Sequence, residues 1–471
     1  MLWFALHFPA LSLEIFSRFS AAPESPEPLA VIEKRGNRTW VIAYNQAAAA
    51  GGVRAGMTAA AAQALLDGLI VRKRDPLAEH EALTGLAAWA GRFTPTVSLE
   101  PPDGLLLEIS RCLSLHCGLD NLLKQVRTGL DAMGYAATLA CAPISHAAWL
   151  LARSGTAQII RASAELERSL ATLPIGLLDQ PQDVLDSLEM LGAHTLGECL
   201  RLPRAGLARR FGQALLDELD CMLGKLPEAR AIFVPPPSFE RRLELPAPVH
   251  EAEALLFAAR RLLPELEGYL ALHQAGVQEL TLVCRHEHTV DTALKLGFVK
   301  PTRDTSRMLL LLRETLGRTR LPAPVHSIVL NAPRIEVLAL SNSDLFQAHN
   351  NAADVDLLLE RLRIRLGKTA VYGIETTTDH RPERAWRPCQ ETHHAAAAAN
   401  PLRPLWLLSE PVPCHDGGLL LKTGPERIES GWWDGTDIRR DYYVAEDRHG
   451  ARLWVYCDRA SGEWFVHGLF A

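Results

Sequence analysis

The sequence has no surplus of positive charge: 49 lysines and arginines stand against 55 acids, a net charge of −6. Nucleic-acid affinity comes largely from basic side chains neutralising phosphates, so the chain as a whole is excluded as a strong polyanion binder and any such contact must be local. There is no CxxC pair, and the nine cysteines are irregularly spaced. That pattern argues against a secreted disulfide framework and suits reduced thiols in the cytoplasm. No stretch reaches the roughly eighteen uncharged apolar residues of a membrane helix. The apolar start MLWFALHFPALSLEIFSR lacks a basic opening and carries Glu14, so it reads as a strand running into a helix and not as an export signal.

What is present is a long chain, 471 residues and 48% hydrophobic, enough for three or more units with buried cores. LWFALHF is β-prone and stops at Pro9, and a helical pattern follows from Leu11 to Phe19. LAVIEKRG and TWVIAYN pair across Gly36-Asn37, then come a helix in MTAAAAQALLDGL and a short strand in LIVRKR. A helix in HEALTGLAAWAGRF precedes TVSLE and LLLEIS, which flank Pro101-Pro102-Asp103-Gly104. Asp-Gly between apolar runs is a strong hairpin signal. LDNLLKQVRTGLDAMG, ATLACA and ISHAAWLLARSG complete an α+β unit ending near residue 165.

Residues 183–224 carry helical patterns only, and Pro235-Pro236-Pro237 forms a stiff connector. Between about 240 and 340 a second α+β pattern runs through FERRLELPAPV, the helix EAEALLFAARRLLPELEGYLALHQ, the strand VQELTLVCRHEHT, the helix RMLLLLRETLG and the strand VHSIVLNAPRIEVLAL. Order weakens after Ser341, where HHAAAAAN reads as linker or loose helix. From Pro425 onward the chain holds four of its ten tryptophans and alternates like paired strands in DYYVAED, ARLWVYCD and EWFVHGLF.

This order of elements resembles the Y-family of translesion DNA polymerases over residues 1 to about 340. The resemblance implies an α+β fold with a palm-like part (1–20 and 76–165), a fingers-like part (21–75), a helix-hairpin-helix thumb (166–235) and a little-finger-like part (240–340). A C-terminal extension (341–471) would carry a clamp-binding motif and partner-binding surfaces.

In that family two magnesium ions are held by an Asp on the first strand and an Asp-Glu pair on the central hairpin. Counting back from Glu14 places Ala5 at the first Asp; laying PPDGLLLEIS on the hairpin keeps Asp103 and puts Gly104 at the Glu. A lone carboxylate does not hold a pair of strongly hydrated magnesium ions in fixed geometry. The expected loss is on the order of a thousandfold or more in rate, because each metal lowers the barrier by several kcal/mol. The reading therefore has no metal, no cofactor and no catalytic residue, and Asp103 is first of all a hairpin corner. Period-2 alternation sets Glu100 before the tip and Glu108 beyond it, so neither substitutes. On the triphosphate side Ala49 stands at the expected arginine, Tyr44 is a displaced tyrosine, and Thr156 lies near the expected lysine.

LEMLGAHTLGECL matches the helix-hairpin-helix pattern, in which Gly192 permits a tight turn that aims backbone amides at a phosphate and Thr195 opens the next helix. Arg201, Arg204, Arg209 and Arg210 cluster beside it as further phosphate partners. The plainer alternative is a helical turn with a solvated basic face. SNSDLF resembles the short peptide by which bacterial polymerases dock on the sliding clamp: Leu345 and Phe346 would fill an apolar pocket, Asp344 would fix the register, and Asn342 stands where Gln is usual. An ordinary capped turn is the alternative there. Cys284, His286 and His288 share a strand pattern but lack a fourth zinc ligand, so a solvated edge is the better reading.

The tail from DHRPERAWRP to EWFVHGLFA resembles noncatalytic Y-family-like members of a bacterial mutasome. That likeness implies a cytoplasmic hub that binds DNA and joins the sliding clamp, a small RecA-like partner and an error-prone C-family polymerase during damage-induced mutagenesis. Trp432, Trp433, Tyr442 and Tyr443 are either a partner surface or the core of a small β fold. Two rivals stand beside this scaffold: an active translesion polymerase with rearranged ligands, and a DNA-binding repair protein without such partners.

Overall fold

The computed structural model describes residues 1–18, 27–338, 352–367, 369–389, 403–404, 406–414 and 419–470. They fall into two compact units, Met1–Arg361 and Leu362–Ala471.

The first unit opens with β1 (Trp3–His7) and α1 (Leu11–Ser17). A small layer follows, with β2 (Leu29–Arg35), β3 (Arg38–Tyr44), α2 (Gln46–Ala50), α3 (Ala59–Leu65) and β4 (Ile70–Lys73). Its sheet runs β3-β2-β4 over a core that includes Ala30, Val41, Ala48 and Val53. The chain then returns through α4 (Pro76–Ala90), β5 (Val97–Glu100), β6 (Gly104–Glu108), α5 (Leu119–Met133), β7 (Thr138–Ala142) and α6 (Ser145–Arg153). β1 lies between β6 and β7 in an antiparallel sheet ordered β5-β6-β1-β7.

Period-2 alternation splits this sheet into two faces. Phe4, Leu6, Leu105 and Leu107 pack with α4 and α5, while Ala5, Leu106 and Ala140 pack with α6. Both faces are therefore dry, and functional chemistry is confined to the ends of the strands.

Five helices follow: α7 (Ser163–Ala171), α8 (Gln182–Met190), α9 (Leu196–Arg201), α10 (Arg204–Phe211) and α11 (Gln213–Met222). Leu166, Leu188, Leu196 and Leu219 join Trp149 of α6 in one core. The connector then runs past the edge strand β5, where the Phe233 N–H donates to the Val97 carbonyl at 2.7 Å.

The next sheet is ordered β10-β9-β11-β8, from β8 (Phe239–Val249), β9 (Ala275–His286), β10 (Thr292–Thr302) and β11 (Val325–Val337), with α12 (Ala252–Leu272) and α13 (Thr305–Leu316) between strands. The sequence reading omitted β10, whose buried Leu294, Leu296 and Phe298 alternate with lysine and glycine. It also left out α14 (Ala352–Leu366), although Glu360 of that helix is buried against Arg307 of α13 in a two-pronged ion pair at 2.7 and 2.6 Å.

α12 packs directly on α4 around Trp89. Gly268 makes this approach possible: a Cβ there would sit 2.5 Å from the Trp89 backbone. Glu265, buried in the same seam, takes Arg18 at 2.9 Å, with Arg241 3.4 Å away.

The second unit contains a hairpin of β12 (Gly373–Thr376) and β13 (Trp386–Cys389), and a five-stranded sheet. That sheet is ordered β14-β18-β17-β16-β15, from β14 (Trp406–Cys414), β15 (Leu420–Ser430), β16 (Ile438–Glu446), β17 (Arg452–Asp458) and β18 (Trp464–Leu469). Ile428, Tyr442, Val444, Trp454 and Tyr456 form its core.

Candidate functional site

The end of the central sheet holds Asp103 and Gly104, while Ala5 lies further inside the same sheet. His7 lies opposite Gly104 and Ala5 opposite Leu106. Ala5 is therefore a fully buried core residue, and His7, not Ala5, stands beside Asp103, its Nε2 3.5 Å from the carboxylate. Strand pairing sets this register and so brings His7 to the hairpin corner while Ala5 stays inside the sheet.

Gly104 is enclosed. A Cβ added there would lie 2.2 Å from two carbons of the Trp149 indole, so even an alanine requires the ring to move. The His7 ring meets the same indole edge-on at 5.5 Å, and its Nδ1 is buried without a hydrogen-bond partner.

The neighbouring acids are engaged elsewhere. Glu100 pairs with Arg230 from the connector, and the Glu108 carboxylate accepts the Ser110 N–H at 3.1 Å. A cleft of about 180 Å³ borders Asp103, lined also by Phe8, Ser12, Arg35, Arg74 and Glu79. Arg74 is held by Glu79 and Glu33, hydrogen bonds that raise its guanidinium above the ordinary arginine range and lower the Glu33 carboxyl.

This donor set does not fit a pair of magnesium ions. One carboxylate, one imidazole and an indole converge where several oxygen ligands are needed. Among the described residues, no group of three or more His, Cys, Asp or Glu side chains is arranged to hold a metal. Cys284 is buried, and the ring nitrogens of His286 face the Thr292 hydroxyl and the Pro324 carbonyl.

The positions expected near a triphosphate are dispersed. Ala49 is half-buried on α2, and the nearby Arg54 turns back to donate to the Ala49 and Val53 carbonyls. Tyr44 ends β3 half-buried, and Thr156 is exposed on a turn beside the Ser154 hydroxyl.

The hairpin between α8 and α9 turns at Gly192, whose φ of +82° favours glycine. Thr195 opens α9 in a capping box with Glu198. The N–H groups of His194 and Thr195 both donate to one Glu198 carboxylate oxygen at 2.9 Å. Those hydrogen bonds hold the Glu198 carboxyl below the usual carboxylate range. These two hairpin amides thus already meet an anion of the chain itself.

Arg204 is likewise committed, forking onto Asp220 at 3.0 and 2.6 Å. Arg201, Arg209 and Arg210 are exposed and have no ion pair among the described residues. All four arginines are exposed next to the hairpin, three without an ion pair among the described residues and Arg204 shared with Asp220.

Asn342, Asp344, Leu345 and Phe346 lie outside the described residues. In the second unit the four aromatics divide. Tyr442 is buried and stacks on Trp454 at 4.1 Å, and Tyr443 packs against Trp464. Trp432 and Trp433 are 77% and 59% exposed and sit edge to face on a turn. Arg381 pins that turn, donating to Asp379, Asp434 and the Thr436 hydroxyl while itself buried.

Sequence reasoning missed His7, Trp149, Glu198 and Arg381. Of these only Glu198 carried a local signal, the Thr-x-x-Glu capping pattern.

The family model described as impB/mucB/samB matches residues 24–153. Similar solved structures include DinB from Sulfolobus solfataricus, at 18% identity and a TM-score of 0.41, covering 72% of this chain and all of that one. The insertion ternary complex of Dbh DNA polymerase compares at 19% identity and a TM-score of 0.41, with the same coverage. The fold is α+β and Y-family polymerase-like, with palm, fingers, helix-hairpin-helix thumb and little finger followed by an extra sheet domain. Two curated relatives narrow this. Protein ImuB from each of two strains of Caulobacter vibrioides is 30% identical over 458 residues, which span 89% of this chain and the whole of the relative. The chain belongs to the ImuB family.

Proposed function

We propose that this protein is a noncatalytic scaffold of an error-prone translesion synthesis complex. It grips DNA with its polymerase-shaped body and links the sliding clamp to an error-prone C-family polymerase and a small RecA-like partner during DNA damage-induced mutagenesis in the cytoplasm. One observation carries the reading: the Trp149 indole fills the space that a carboxylate at residue 104 would need. Transfer onto a primer end requires two bridging cations, and one carboxylate does not position them.

Partner recruitment then falls to the surfaces outside this centre. SNSDLF supplies an apolar pair of the kind that fills a clamp pocket, and the Trp432–Trp433 turn offers large, rigid aromatic area of the kind that dominates protein interfaces. No described helix is long and apolar enough to cross a membrane.

The test asks for binding without synthesis. Full-length protein is expected to retain primer-template DNA and the sliding clamp on a pull-down. A Leu345→Ala/Phe346→Ala variant should lose the clamp and keep the DNA; equal clamp retention by both proteins removes the motif from the proposal.

A further inference from the structure

A groove of about 450 Å³ runs along the seam where α12 and α13 meet the end of α5. Arg260 and Arg261 line it, with Thr305 and Ser306 from the start of α13 and the apolar Phe257 and Leu309. None of these residues belongs to the centre or the hairpin described above. Successive helix residues point about 100° apart, so two neighbouring guanidinium groups sharing one groove is not a simple outcome of helical periodicity.

Charge in the groove is out of balance. Arg261 donates to the Asp131 carbonyl at 3.3 Å and lies 5.0 Å over the Phe257 ring, yet its Nε is buried with no hydrogen-bond partner. Burial, Arg18 and Arg260 together push its guanidinium below the ordinary arginine range. Arg18 is taken by Glu265, and Arg260 has no ion pair among the described residues. Among the described lining residues the one acid is Asp131, exposed at the rim. The first amides of α13 are not the receptor, because the Asp304 carboxylate already accepts from Ser306 and Arg307. What is left to bind a ligand is two guanidinium groups and two hydroxyls beside an apolar wall.

We infer that this groove binds a phosphate ester of nucleotide size, with Arg260 and Arg261 on the phosphate oxygens, Thr305 and Ser306 as hydroxyl donors, and Phe257 against the organic body. Planar guanidinium forks suit phosphate geometry, and the volume lies within the range of small-molecule sites, roughly 300–1,000 Å³. The phosphate has two possible sources, a free nucleotide or the backbone of a DNA strand.

Calorimetric titration of the full chain with inorganic pyrophosphate, with dATP and with a short single-stranded oligonucleotide separates them. Saturable binding of pyrophosphate and dATP assigns the groove to free nucleotides; a loss in the variant confined to the oligonucleotide assigns it to DNA. The Arg260→Ala/Arg261→Ala variant should bind the assigned probe about tenfold more weakly or worse, since charge-assisted hydrogen bonds are removed. Circular dichroism checks that this variant folds; if it does not, Thr305→Ala/Ser306→Ala is read in its place and should weaken binding severalfold. No saturable binding of any of the three probes, or binding unchanged in the folded variant, overturns the inference.

Discussion

The central sheet and the hairpin between α8 and α9 each set one of the protein's own side chains against a position where the sequence led us to expect a ligand, and they do so in different ways. At the sheet, an indole fills the space that a side chain on residue 104 would need. At the hairpin, a carboxylate holds the amides suited to a phosphate. The first substitution is steric and lies in a packed interior, where accommodating one extra group shifts many neighbours. The second is a pair of hydrogen bonds at the surface, which an incoming phosphate can replace one for one. On the proposed function, the first arrangement removes the chemistry and the second leaves the hairpin open to DNA.

The largest effect follows from forcing the missing ligand back. Gly104→Glu should destabilise the protein by about 1–3 kcal/mol or more, the cost of overpacking a core, read from the midpoint of urea unfolding. Adding Trp149→Ala to that variant should recover part of the loss; a Gly104→Glu protein as stable as the parent would break the steric half of the comparison.

A smaller effect is expected on the basic surface. Arg209→Ala/Arg210→Ala should lower DNA affinity and reduce the slope of log affinity against log salt by roughly one per arginine. Arg204→Ala should change that slope little, because Asp220 already holds the guanidinium. Equal slopes for all three positions would mean that Asp220 releases Arg204 on binding.

The smallest effect has the opposite sign. Glu198→Gln should strengthen DNA binding by roughly two- to fivefold at low salt, the scale of one charge at a helix N-terminus. Weaker binding by the variant would make Glu198 a structural cap and nothing more. In the second unit, Arg381→Ala should free the Trp432–Trp433 turn and shift its tryptophan fluorescence while leaving the Tyr442–Trp454 core in place.

Local signals made much of this legible in the sequence. The Asp-Gly corner, the strand-helix opening and Thr195 at the start of α9 each depend on residues within a few positions of one another. The site was less legible because its parts come together only in the tertiary fold. His7 reaches Asp103 through strand register, and Trp149 reaches Gly104 from a helix far along the chain. Arg381 meets Asp434 across 53 residues. β10 was legible, because Leu294, Leu296 and Phe298 alternate regularly with Lys295 and Gly297, whereas α14 was not, because its ion pair with Arg307, not a strong apolar face, marks where it docks.

Primer extension tests the central claim most directly. With a primed template, all four nucleotides and either magnesium or manganese, the purified protein is predicted to add no nucleotide. Incorporation that disappears in the Asp103→Ala variant would contradict the account.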